Sequence, residues 1–386
     1  MVAEGVVMAP RGVAVDTTRR LAWVDNLRVV AITGVIVVHT ATAYLTDFAD
    51  WYYDDELHPT TVGFALFAVP ALLGGVFGLG PLFWLAGWFS VPSLRRRGAG
   101  RFARARVARL GAPLVVFVVL VNPLADLVGN VRQDPRPFLA YLGETEFSVM
   151  WFVAALLFCS LAYAGVRAWA PDAWSPARPG AATVLVAGLL IGVLSMLIWP
   201  TSSLLDEHLM GLRPGAWVQG IVLFALGVLT GEATPMGDGG RVDVGVDRRG
   251  ERGWGWVTVA GVVTIVALAG SISASGELSD ALHQMAWQGT AFAAVYGIVS
   301  VSFTLWCLSW FRRRWTGTRP WTPAAGRAAY ATYLIHPLVL TCVMVGLWWV
   351  PGGPEAKFLL AVVTGVPACF LAGYALTRLP GAQRLL

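Results

Sequence analysis

The sequence has few charged residues: Asp, Glu, Lys and Arg together make up 13% of its 386 residues. Soluble chains carry about 25%. Hydrophobic residues instead reach 56%, and the mean hydropathy is +0.64. A soluble fold cannot hide so much apolar surface, and the same composition excludes collagen, disorder and a disulfide scaffold. The sequence therefore predicts a polytopic membrane protein.

Cysteine and lysine are also scarce. The four cysteines all lie inside apolar runs, and none has a partner at a metal or disulfide spacing. Lys357 is the only lysine among 28 basic residues. The sequence contains no phosphate-binding G-x-x-x-x-G-K-S/T, no strand-associated G-x-G-x-x-G, no zinc-type spacing and no Gly-x-Ser-x-Gly elbow. We therefore expect no metal site, and no nucleic-acid partner.

Ten apolar runs are long enough to cross a bilayer, which takes about 20 helical residues. They lie near 21–45, 62–91, 110–129, 149–169, 181–199, 215–231, 254–271, 286–311, 326–350 and 356–377. The first run is predicted to be a retained helix and not a cleaved signal, because Asp25 and Arg28 interrupt its apolar core.

The charges around these runs predict the topology. If 62–91 crosses once, interrupted at Gly80-Pro81, and the N-terminus is cytoplasmic, 24 of the 28 basic residues lie inside. Two crossings by 62–91 would put the Arg-rich stretch 95–109 outside, against the positive-inside rule. We expect an all-α bundle of about ten transmembrane helices over 21–377 in the plasma membrane, with cytoplasmic tails at 1–20 and 378–386.

The first predicted helix carries Asp25, Arg28 and His39 on one stripe. An ionisable group inside a span costs roughly 2.5–3.5 kcal/mol, so each one requires a reason. Arg28 and His39 return to nearly the same face, with His39 about 16 Å further along the axis. The alternative is a snorkelling Asp25/Arg28 pair with His39 at the outer rim.

The ninth predicted helix holds Tyr330, Tyr333 and His336-Pro337. His336 lies roughly 15 Å into the helix, and Pro337 leaves the Tyr333 carbonyl without its helical donor. A histidine at this depth is a functional candidate. The alternative is a buried histidine that only bonds the freed carbonyl.

Arg106 and Arg109 lie one turn apart at the predicted mouth of the third helix, within the stretch 95–109. Guanidinium groups bind phosphate bidentately. The alternative is a positive-inside signal that contacts lipid headgroups.

Five motifs follow one another at the ends of these helices. They are WVDNLRVVAITGVIVVH, PLFWLAGWFSVPSLRRR, RVARLGAP, MWFVAALL and YATYLIHPLVL. In order and spacing the chain resembles the integral-membrane acyltransferase 3 family over about 21–377. The family's Arg-and-His signature matches Arg28 and His39, and its R-x-x-R matches Arg106 and Arg109. Ala86 stands where the family often has Ser.

The resemblance implies transfer of an acyl group, commonly acetyl, from cytoplasmic acyl-CoA to a sugar or other hydroxyl acceptor. We expect Arg106 and Arg109, with Arg28, to bind the CoA phosphates. The pantetheine arm would then reach His39, which acts as general base or carries the acyl group itself.

Other polar groups have supporting roles in this hypothesis. His336 and Tyr333 are predicted to supply a second acid/base or an orienting donor, Asp25 to hold Arg28, and Trp151 to bind substrate. A proton-coupled transporter or flippase also suits buried Arg and His beside a broken helix. A structural membrane subunit is the third alternative.

Overall fold

The structure is a computed structural model of the chain. It describes residues 21–45, 51–53, 58–170, 176–208, 211, 214–233, 248–275 and 287–382. The predicted tail 1–20 and residues 383–386 of the predicted C-terminal tail lie outside the described residues.

The described residues form helices, turns and connecting segments, without a strand among them. The main helices are α1 (Ala22–Thr42), α2 (Thr61–Phe77), α3 (Gly80–Arg97), α4 (Ala99–Gly129), α5 (Trp151–Trp169), α6 (Ala181–His208), α7 (Pro214–Ala233), α8 (Arg248–Ser275), α9 (Trp287–Arg314), α10 (Thr322–Leu347) and α11 (Pro354–Leu376). In this described part, nine helices are long and apolar enough to cross a membrane, all but α2 and α3. The all-α membrane fold is therefore confirmed.

The contacts between helix ends define two ends of the bundle. Asn26, at the start of α1, donates to the carbonyls of Trp315 and Gly317 in the link between α9 and α10, at 2.7 and 3.0 Å. At the opposite end, the backbone N–H of Thr60 donates to Glu355 in the first turn of α11 (3.0 Å). We call the end where α1 begins the near end, and the end where α11 begins the far end.

Helices α2 and α3 together run from the far end of the bundle to the near end. α2 begins at the far end beside Glu355, and α3 ends at the near end, where Arg95 pairs with Glu232 of α7. The chain breaks at Gly78-Leu79, directly before Gly80-Pro81, because Pro81 in the first turn of α3 can donate no backbone hydrogen bond. This arrangement agrees with one interrupted crossing of the predicted run 62–91.

Glycines bring α3 and α7 into close contact. A Cβ atom on Gly87 would lie 2.1 Å from the Phe224 carbonyl oxygen, and one on Gly227 would lie 2.0 Å from the Trp84 carbonyl oxygen. Only glycine permits this approach, and such packing drives helix association in lipid. Helix α3, the near-end half of this interrupted pair, is therefore packed tightly against α7.

Helix α4 begins at Ala99, well before the predicted apolar run near 110–129. Two π-helical segments, Val107–Gly111 and Phe117–Val121, interrupt its α-helical geometry. Each precedes a proline, Pro113 or Pro123, whose ring cannot bond the carbonyl four residues earlier. A wider turn accommodates the loss, and the Arg-rich stretch becomes part of the helix.

Candidate active site

Two histidines that are far apart in the sequence meet inside the bundle. Nδ1 of His39, on α1, lies 2.9 Å from Nε2 of His336, on α10. The rings are nearly parallel, with centroids 5.1 Å apart and an interplanar angle of 12°. His336 is completely buried, whereas His39 is half-buried. Both residues were predicted separately as site residues, and the structure brings them together.

The backbone fixes the proton on His336. Pro337 has no N–H, so the Tyr333 carbonyl lacks its helical donor and instead lies 2.7 Å from Nδ1 of His336. A carbonyl can only accept, which assigns the proton to Nδ1. Complete burial favours the neutral ring, because a charged one would have no water around it. Nε2 of His336 is then an acceptor, and Nδ1 of His39 donates to it.

A tryptophan from the segment after α1 covers this pair. The Trp51 ring stacks on His39 with centroids 4.6 Å apart and an angle of 17°. The next residue, Tyr52, donates its hydroxyl to Asn122 of α4. A Cβ atom on Gly129 would collide with the Tyr52 carbonyl at 1.6 Å, so glycine is required for this close approach. Segment 51–53 is thus seated on α4 directly over the histidines.

Tyr333 lies beside His336, with ring centroids 5.6 Å apart, and Phe152 of α5 separates Tyr333 from Trp151. The Tyr333 hydroxyl donates to the Val149 carbonyl, and its ring lies edge-on to Phe152 at 5.8 Å. Trp151 is half-buried and contacts the edge of Phe152 at 6.3 Å. Ser148 has a φ of 40°, the one positive value at a non-glycine position among the described residues. Such strain is common where a backbone is held for function, and here it precedes the carbonyl that Tyr333 binds.

Asp25 and Arg28 form a pair of their own at the near end. Nη1 of Arg28 lies 3.6 Å from Oδ1 of Asp25. Asp25 is buried against Gly326 of α10, while Arg28 is exposed. His39 lies eleven residues further along α1, a rise of about 16 Å. The four predicted catalytic residues therefore fall into two groups, and the roles of Asp25 and Arg28 stay predictions.

The predicted phosphate-binding residues lie inside helix α4. Nη2 of Arg106 donates to the Ser90 hydroxyl of α3 (3.1 Å), and its guanidinium lies 5.0 Å from the centre of the Phe102 ring. Arg109 is exposed. These contacts orient Arg106, while Arg109 can reach a ligand from the surface of the helix.

A second proline links this cluster to α10. Pro113 cannot donate to the Arg109 carbonyl, which accepts the Tyr330 hydroxyl at 3.3 Å. Tyr330 lies six residues before His336, which corresponds to roughly 9 Å along the helix. The arginines and the histidine pair thus lie at successive depths of the bundle.

A buried carboxylate at the near end was missed by the sequence analysis. The Glu232 side chain, at the end of α7, is 1% exposed and pairs with Arg95 of α3. It also accepts from the Tyr163 hydroxyl at 2.6 Å and lies 3.6 Å from Nε of Arg167, both on α5. A glutamate ending an otherwise apolar run was the available signal. The Trp51 contact had no such signal, since a tryptophan near a span end fits an interfacial belt equally well.

The comparisons with known proteins give one match. No curated protein and no solved structure shows significant similarity to the chain. The profile of one family, described as an acyltransferase domain, matches residues 21–378. This match covers the helical bundle, the histidine pair and the arginine cluster. The chain therefore belongs to the acyltransferase 3 family of membrane proteins.

Proposed function

We propose that the protein is an O-acyltransferase that moves an acyl group, preferably acetyl, from acyl-CoA to a hydroxyl group of a glycan or other extracytoplasmic acceptor. The near end would face the cytoplasm, with both termini inside and the bundle in the plasma membrane. The observation that carries this proposal is the hydrogen-bonded chain from the Tyr333 carbonyl through His336 to His39.

This chain suits His39 to act as a general base. With Nδ1 of His39 donating to His336, the lone pair of the neutral ring is on Nε2. Nε2 takes the proton of the acceptor hydroxyl while the oxygen attacks the thioester carbonyl. The C–S bond then breaks, and the protonated His39 returns the proton to the CoA sulfur. The bond from His39 to His336 strengthens when His39 is charged, and the face of Trp51 adds a cation–π attraction.

The donor would enter from the near end. Arg106 and Arg109 offer guanidinium groups for its phosphates, and Arg28 lies at the same end on α1. The pantetheine arm would then extend toward the far end. The rise from Arg28 to His39 is about 16 Å, a distance that the extended arm can cover. The thioester would meet the acceptor hydroxyl below Trp51.

The activity is tested in liposomes with radiolabelled acetyl-CoA and acceptor glycans. General acid–base catalysis contributes typically about 10²- to 10⁴-fold, so His39→Ala should lose activity to that extent. His58→Ala, a change of an exposed histidine outside the site, is the matched control. Wild-type turnover in His39→Ala would refute the base. Solute transport without consumption of acetyl-CoA would instead favour the transporter.

The donor site is tested by conservative changes. Arg106→Lys with Arg109→Lys keeps the charge but loses the bidentate geometry, and should weaken acetyl-CoA binding by about 1.5–3 kcal/mol. Arg95 is unsuitable as a control, because it pairs with buried Glu232. Arg96→Lys with Arg101→Lys is the matched change at exposed positions. Equal affinity in both double variants would reduce the cluster to a topological signal.

A further inference from the structure

The guanidinium group of Arg167 is only partly satisfied. Its side chain is 14% exposed, and its Nε atom lies 3.6 Å from Glu232, beyond hydrogen-bonding distance. Neither Nε nor Nη1 has a hydrogen-bond partner among the described residues, although both atoms are buried. Buried donors are nearly always bonded, so the two unbonded N–H groups of Arg167 indicate a missing acceptor.

The surroundings of Arg167 carry surplus positive charge. Arg95 pairs with the same Glu232 carboxylate and remains 42% exposed at its side chain. The Tyr163 hydroxyl takes one of the carboxylate oxygens. Two guanidinium groups therefore share one carboxylate, and the cluster has a net charge of +1. A negatively charged oxygen would balance this charge and satisfy the Arg167 donors.

Glu232 also fixes where such a ligand would bind. The carboxylate is inaccessible at the junction of α3, α5 and α7, and it holds Arg95 and Arg167 from its two oxygens. The first turns of α4 and the segment Val107–Gly111 pack against α5, which places this cluster on the same side of the bundle as Arg106 and Arg109. A ligand with several phosphates could contact both groups of arginines, and a single headgroup could occupy one.

We propose that Arg167 and Arg95 form a binding site for a phosphate group at the near end of the bundle, with Glu232 and Tyr163 as positioning residues. The phosphate belongs either to the acyl-CoA donor or to a phospholipid headgroup, since both present the same oxygens to guanidinium groups. The donor source rests on the proposed function, whereas the site itself does not.

The test compares two probes on purified, delipidated protein. CoA is titrated against wild type, Arg167→Gln and the control Arg96→Gln, a change of an exposed arginine outside the cluster. Phosphatidic acid and diacylglycerol, which differ by the phosphate, are compared by the midpoint of thermal unfolding. Should Arg167→Gln fail to fold, the half-exposed Arg95→Gln replaces it.

A donor phosphate in the site predicts that Arg167→Gln binds CoA roughly 10- to 100-fold more weakly than wild type and Arg96→Gln. A headgroup predicts that phosphatidic acid, and not diacylglycerol, stabilises wild type but not Arg167→Gln. If wild type binds no CoA but shows this lipid effect, the phosphate site is supported and the proposed acyl-CoA donor is refuted. If neither probe distinguishes Arg167→Gln from wild type, the site is refuted.

Discussion

Replacing His336 by phenylalanine is the sharpest test of the histidine pair. Phenylalanine keeps an aromatic ring at the buried position but offers no acceptor to Nδ1 of His39 and no donor to the Tyr333 carbonyl. A hydrogen bond between neutral partners contributes about 1 kcal/mol, and one to a charged group about 1.5–3 kcal/mol. The reaction is accelerated only by the hydrogen-bond free energy that is gained when His39 becomes charged in the transition state. That part, about 0.5–2 kcal/mol, predicts a roughly 2- to 30-fold fall in kcat.

Two readouts separate this positioning role from simple packing. The KM for acetyl-CoA should stay unchanged, because the donor phosphates bind elsewhere. His336→Gln keeps a carbonyl oxygen near the position of Nε2 and should recover part of the lost kcat. An unaltered kcat in His336→Phe would refute the reasoning. Equal losses in both variants, accompanied by equal falls in thermal stability, would reduce His336 to a structural residue.

Three further predictions concern the surrounding structure. Trp51→Ala should lower kcat roughly 2- to 10-fold, since an aromatic stack contributes about 0.5–1.5 kcal/mol, and Trp51→Phe should be milder; equal rates in the two would dismiss stacking. Gly87→Ala should destabilise the bundle by about 1–3 kcal/mol or more through its clash with α7, whereas thermal unfolding of Gly100→Ala, which has open space around it, should show no such loss. Topology reporters fused after Glu56 and after Gly98 should report opposite sides of the membrane, and same-side signals would mean that α2 and α3 cross twice.

Much of the bundle could be predicted because lipid imposes simple rules. Apolar runs of sufficient length located the spans, and the arginine distribution favoured one interrupted crossing over two. The start of α4 could not be found in this way, because the stretch before residue 110 is too rich in arginine to read as a span. Phe102 in this stretch is 1% exposed and packs in the hydrophobic core, a contact that hydropathy alone does not indicate.

The sequence predicted both histidines of the pair as site residues, but it could not predict that they meet. Depth in the membrane and the neighbouring proline singled out His336, and the stripe on α1 singled out His39. Their meeting depends on how α1 and α10 pack, which no periodicity within either helix encodes. Arg28 shows that a shared stripe does not imply contact. Arg28 and His39 lie on the same face of α1, yet their side chains are separated along the helix axis.

The two π segments of α4 determine which way its side chains point. Each widened turn holds one residue more than an α-helical turn would, and each residue of an α-helix advances the direction by about 100°. Deleting one residue from Val107–Gly111 would return that turn to α-helix while Arg106 and Asn122 kept their directions, because a widened turn and an α-helical turn complete the same rotation with different numbers of residues. If the same residues continued as α-helix, each π segment would add about 100° of rotation. Arg106 at one end of α4 and the polar groups at the other therefore face the same interior only because the widened turns correct the phase between them. A deletion of one residue within either π segment would therefore leave the two ends of α4 in phase, whereas an insertion would require a further widened turn.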